Sequence, residues 1–215
     1  LLVTGALLGS RRVQAVVRPA DARLVALGDS LTSGFGLPAE AAFPAALERA
    51  LRAGGYAVTI ANAGVSGDTA SGGLARLDWS VGDGTQGVIL ELGANDMLRG
   101  IDPDVTRSAL DAILARLAQR RIAALLAGMR ASPSLGKAYK ARFDAIYPAL
   151  AEKYKVPLYP FFLEGVAGEP SLKQADGLHP NEAGVARMVA GILPSMRSFL
   201  QRVGSAADAT PGMPR

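Results

Sequence analysis

From Arg23 onward, short β-branched or apolar runs alternate with longer amphipathic stretches, and no other feature constrains the chain as much. Strands separated by helix-length segments cannot close as tight hairpins, so they pair in parallel through crossovers, with helices covering both faces of the sheet. Five strands are expected, near residues 24–27, 58–62, 87–92, 122–128 and 156–159. Helices are expected over 41–52, 69–77, 103–120 and 137–155, and from just after Pro180 to about Arg202. In the third of these, Val105, Leu110, Ile113, Leu114 and Leu117 recur at helical spacing and read as a buried stripe.

The length of 215 residues fits a single domain, placed here at 23–203, with no linker and no internal repeat. Residues 204–215 are rich in Ala, Gly and Pro and are expected to form a disordered tail. Residues 1–22 read as a signal peptide or disordered leader: an apolar start is followed by Ala20-Asp21-Ala22, which fits a small-x-small cleavage site. Export to the periplasm or medium is the expectation. The alternative is an N-terminal extension of a cytoplasmic protein. The apolar run is too short to span a bilayer.

Charge points to no nucleic-acid partner. The formal net charge is +4, but Arg11, Arg12 and Arg18 lie in the leader, which leaves 20 basic against 19 acidic residues in 21–215. Aromatic content is only 6%, too low to suggest a base-stacking platform. The chain has no cysteine and one histidine, which excludes a disulfide framework, a thiolate nucleophile and any metal centre needing several Cys or His ligands.

The unusual residues gather where chemistry is expected. In an open parallel sheet, ligands bind beyond the carboxyl ends of the strands. Gly28-Asp29-Ser30-Leu31-Thr32 follows the first strand, Ala63 to Asp68 the second, and Gly93-Ala94-Asn95-Asp96 the third. Asp176-Gly177-Leu178-His179-Pro180 follows the fifth. Each stretch alone reads equally as a turn or a helix cap. Together they supply a nucleophile, a base with an acid three residues before it, and oxyanion donors, which is the set acyl transfer needs.

In that reading Ser30 attacks, His179 takes its proton, and Asp176 reaches back to the ring Nδ1–H. The oxyanion donors are the backbone N–H of Ser30 and of Gly67 and the side-chain amide of Asn95. Glycine is expected at 67 because a Cβ would obstruct close approach of the backbone. Activity should rise with pH as His179 becomes neutral. Leu31, Met97, Leu98 and Leu178 flank these residues, and read equally as an acyl site or as core.

Three decoys fail on context. Gly82 to Gly87 spells G-x-G-x-x-G but precedes a strand, where a dinucleotide fingerprint must follow one. Ser134 to Lys137 spells S-x-x-K without the S-D-N and K-T-G partners of penicillin-binding enzymes. Glu91, inside a strand, lacks the spaced second carboxyl of a glycosidase.

The stretches GDSLTSGFG around Ser30, AGVSGDT around Gly67, LELGANDMLRG around Asn95 and DGLHPNEAG around His179 match the four blocks of the GDSL, or SGNH, hydrolases, in family order. The chain resembles that family over most of 24–184. Leu74 to Leu77 (LARL), ELGANDMLRG and VPLYPFF make it most similar to its arylesterases and acyl-CoA thioesterases with lysophospholipase activity. The resemblance implies a flavodoxin-like three-layer α/β sandwich with strand order 2-1-3-4-5. It implies a Ser30-His179-Asp176 triad without cofactor or metal, and a mobile loop after the fourth strand, here Arg130 to Lys137. It also implies a small ester or thioester as partner, single-chain lipids included, with a monomer the expected state. Two alternatives are a carbohydrate deacetylase of the same family and a non-catalytic acyl- or glycan-binding protein on this fold. The second requires Ser30 and His179 to stand apart, beyond about 5 Å.

Overall fold

The computed structural model describes residues 22–208. The expected leader up to residue 21 and the last part of the expected tail, 209–215, lie outside the described residues.

Five parallel strands, β1 (Ala22–Gly28), β2 (Val58–Gly64), β3 (Gly87–Glu91), β4 (Ala123–Ala127) and β5 (Leu158–Tyr159), form one sheet of order 2-1-3-4-5. Ala22, the last residue assigned to the leader, is buried as the first residue of β1, where it is in register with Val58. All of β3 is buried, as its unbroken Val-Ile-Leu run requires of a central strand covered on both faces. The first residues of edge strand β2 alternate buried and exposed instead.

Two major helices, α2 (Phe43–Ala53) and α9 (Glu182–Asp208), lie against each other on one face of the sheet. The other face carries α3 (Ala70–Ala75), α6 (Pro103–Gln119) and α8 (Ile146–Tyr154), giving three layers. The stripe of α6 is largely as expected: Leu110, Ile113, Leu114 and Leu117 are buried, while Val105 at its first turn is exposed. Asp102 caps that helix by accepting from Asp104 N, and Pro103 sits where no N–H is needed.

The elements depart from expectation in four places. The helix expected over 137–155 is two, α7 (Lys137–Asp144) and α8, broken at Ala145. Pro148 accounts for the break, because it has no N–H for the Asp144 carbonyl and its ring clashes there. The segment 69–77 yields α3, with Thr69 as its cap, followed by a separate turn α4 (Leu77–Ser80). Two short helices, α1 (Ser30–Ser33) and α5 (Ala94–Leu98), were not expected at all. Finally, α9 continues through Asp208, so residues 204–208 of the expected tail are helical.

Candidate active site

In this strand order the chain leaves β1 toward β2 on one side and returns to β3 on the other, so the crevice between the carboxyl ends of β1 and β3 is the topological switch point. Short helices start there after each strand, α1 at Ser30 and α5 at Ala94, and put Ser30 and Asn95 at its rim. Asp29 caps α1 by accepting from Leu31 N at 2.9 Å. As the first residue of α1, Ser30 has one of the N–H groups that a helix start leaves without an intrahelical partner.

His179 comes from the other end of the chain. Its loop is held by Gln174, whose backbone N–H donates to His179 O at 2.8 Å, and by Asn181, whose Oδ1 accepts from Gly184 N at 2.9 Å at the start of α9. His179 Nε2 stands 3.0 Å from Ser30 Oγ. Its Nδ1 stands 2.6 Å from Asp176 Oδ2. The other oxygen, Asp176 Oδ1, accepts from Leu178 N at 2.9 Å and His179 N at 3.0 Å. The His179 bond and these two N–H groups hold the Asp176 carboxyl down at about 2. With Asp176 ionised, the proton of the neutral ring belongs on Nδ1, and Nε2 is left to accept from the Ser30 hydroxyl.

All the residues anticipated as oxyanion donors border one cleft of about 240 Å³, together with His179. Asn95 Nδ2 donates to Asp29 Oδ2 at 3.0 Å, which fixes the amide plane. The reason for glycine at 67 is not the one expected. A Cβ there would meet nothing nearer than Arg99 Nη2 at 3.6 Å, but φ is +83°, a conformation that disfavours any L side chain. Arg99 Nη2 donates to Gly67 O at 2.8 Å and anchors the loop.

The four apolar residues left undecided all line the cleft. Leu98 and Leu178 are 53% and 45% exposed, so core packing does not account for them, whereas Leu31 is buried and serves both purposes. Met129 and Leu163 extend the same wall. Met129 immediately precedes the segment 130–137, where Ala131 N donates to Asp144 Oδ1 at 2.8 Å.

Three positions escaped the sequence reading. Phe35, also at the cleft and 49% exposed, tilts over the imidazole of His179 with ring centroids 4.5 Å apart. Gln174 Nε2 donates to Phe35 O at 2.7 Å and Pro180 O at 2.9 Å, tying the segment after Ser30 to the His179 loop. Arg76 bonds Asp68 Oδ2 at 2.6 Å and the carbonyls of Ala63 and Gly28 at 2.9 Å each, clamping the ends of β1 and β2. Phe35 and Arg76 left a trace only as parts of GDSLTSGFG and LARL, and Gln174 left none.

Comparison with known proteins bears on the family and the fold. The model of the GDSL-like lipase/acylhydrolase family matches residues 26–187. An arylesterase of Vibrio mimicus is 42% identical over 162 residues, covering 75% of this chain and 81% of its own. The thioesterase 1/protease 1/lysophospholipase L1 of Escherichia coli K12 is 41% identical over 159 residues, 74% of this chain and 75% of its own. The crystal structure of TesA superposes with a TM-score of 0.78 at 35% identity, covering 82% of this chain and 99% of that one. A family match spanning both ends of the site, on a sheet of the expected order, means that the chain belongs to the GDSL-like lipase/acylhydrolase family.

Proposed function

We propose that the protein hydrolyses carboxylic esters and thioesters through an acyl-enzyme on Ser30. The observation that carries this is the continuous relay of Ser30 Oγ, His179 and Asp176, at 3.0 and 2.6 Å, opening on an apolar cleft. At 3.0 Å the pair is within hydrogen-bond reach, so the separation that a non-catalytic binding protein would need is missing.

As Ser30 Oγ attacks the substrate carbonyl, its proton passes to His179 Nε2, and the imidazolium is stabilised by Asp176. The carbonyl oxygen takes up negative charge and is received by Ser30 N–H, Gly67 N–H and the free hydrogen of the Asn95 amide. Collapse breaks the bond to the leaving alkoxide or thiolate, which takes the proton from His179. Water, deprotonated by His179 in turn, then attacks the acyl-serine. The carboxylate is released and Ser30 recovers its proton.

The cleft is smaller than the roughly 300–1,000 Å³ of drug-sized sites, so short and medium acyl chains are the expected substrates, with longer chains left projecting over the exposed rim of Phe35, Leu98 and Leu178. Initial rates on p-nitrophenyl esters from acetate to palmitate test both parts. Turnover should peak at the short to medium end, and Ser30→Ala, matched for folding by circular dichroism, should abolish it. Activity surviving in that variant would require another nucleophile, and a palmitate optimum would reject the size argument.

A further inference from the structure

The site rests on two acids that the relay does not use. Asp29 is wholly buried at the start of the nucleophile turn, and Glu91 is 1% exposed at the end of β3. Asp29 spends Oδ1 on Leu31 N and Oδ2 on the Asn95 amide. Glu91 Oε2 accepts from Thr32 Oγ1 at 2.8 Å and from Asp29 N at 3.3 Å. Its Oε1 is buried with no hydrogen-bond partner among the described residues. The fit is close enough that a Cβ on Gly28 would lie 2.6 Å from Glu91 Oε2.

No Lys or Arg forms an ion pair with either carboxyl among the described residues; Arg76, which reaches Gly28 O, is engaged by Asp68 and by carbonyls. Two adjacent carboxylates without a cation cannot both stay ionised in a buried site. One proton resolves the conflict. It also gives Glu91 a donor, and the Asp29 carboxyl is a side-chain hydrogen-bond neighbour of Glu91.

We propose that Glu91 and Asp29 share a single proton, Glu91 as the neutral acid and Asp29 as the carboxylate, and that this pair positions the Asn95 amide for the oxyanion. The inference rests on the reading of Asn95 as an oxyanion donor. Asp29 is the positioning residue, and Glu91 acts through it.

Electrostatics agree with the geometry. Burial pushes the Asp29 carboxyl up to about 6, against the pull of Leu31 N–H and Asn95. Burial and then the charge of Asp29 push Glu91 well above the ordinary range. The other groups facing the pair are Thr32 from α1, His179 opposite Asp29, and Tyr147 from α8, whose hydroxyl donates to Leu92 O at 3.0 Å and which also faces Asp96. Above an ordinary carboxylate value of about 4, the folded chain therefore keeps a proton that the unfolded chain has released, so stability falls as pH rises through that value toward the raised ones.

Four measurements test the pair. In the unsubstituted protein, the infrared carbonyl band of a protonated carboxyl should persist at about pH 8 and vanish in Glu91→Gln. The melting temperature should fall from about pH 5 to about pH 8, and fall less in Glu91→Gln. Glu91→Ala should lower kcat about tenfold with KM little changed, and Glu91→Gln, the neutral isostere, should restore most of it. Asp29→Asn keeps a cap for Leu31 but turns a donor toward Asn95, so it should lower kcat about tenfold in the unsubstituted protein and far less in an Asn95→Ala background. Absence of the band, a melting-temperature slope unchanged in Glu91→Gln, or equal losses from Asp29→Asn in both backgrounds would overturn the proposal. An Asn95→Ala variant with undiminished kcat would instead remove Asn95 from the oxyanion hole, and the band and the slope would then report on the shared proton alone.

Discussion

Asn95 carries two amide hydrogens, and Asp29 Oδ2 already accepts one of them at 3.0 Å. In the proposed reaction the second is left for the oxyanion, and Asn95 would be a donor held in place before substrate arrives. Such preorganisation is worth most when charge develops, so Asn95→Ala should lower kcat by about 10²–10³-fold and change KM little. Steady-state kinetics on a short-chain ester would check this, with the melting temperature as control. A loss confined to KM would make Asn95 a substrate-binding group. At this scale the meeting of Ser30, His179 and Asp176 was legible because residue types are scarce: with one histidine in the chain, His179 had no rival as candidate base, and Asp176 beside it follows from its spacing. Asp29 read as a turn residue and Glu91 as a failed glycosidase acid. Their meeting depends on the register of β1 beside β3, where Leu27 pairs with Leu90, which no local pattern reveals.

At the scale of elements, the long apolar runs were readable and the short helices were not. Four residues in α1 and five in α5 are too few to show a period, yet these two elements aim Ser30 and Asn95. Pro148 was present in the sequence as a reason to divide 137–155, since it removes an N–H that an unbroken helix would need. Support for α5 comes from Asp96, wholly buried, whose Oδ2 accepts from Ala70 N at 2.8 Å and whose Oδ1 accepts from Thr106 Oγ1 at 3.0 Å. One carboxylate thus joins the starts of α3, α5 and α6. Asp96→Ala would leave a buried N–H and a buried hydroxyl without partners, at about 1–3 kcal/mol for each group that water cannot reach. Urea denaturation should show a clear drop in midpoint, accompanied by reduced kcat because Asn95 and the Gly67 loop lean on the same elements. An unchanged midpoint would mean that α3 and α6 hold together without it.

For the molecule as a whole, the strand order decides where chemistry can occur. The winding of the chain reverses between the parallel strands β1 and β3 and opens a crevice that neither strand alone would make, and residues far apart in sequence, Ser30 and His179, close on it. The alternation of strand and helix was enough to read a parallel α/β sheet. The order 2-1-3-4-5 came only from the four motif blocks, because periodicity says nothing about which strands are neighbours. In the proposed reaction Ser30 becomes transiently acylated. Rapid quenching during turnover of a p-nitrophenyl ester, followed by mass spectrometry of the peptides, measures this directly. An acyl adduct is expected on Ser30 during turnover, and none in Ser30→Ala. An adduct on another residue, or steady turnover with Ser30 replaced, would contradict it.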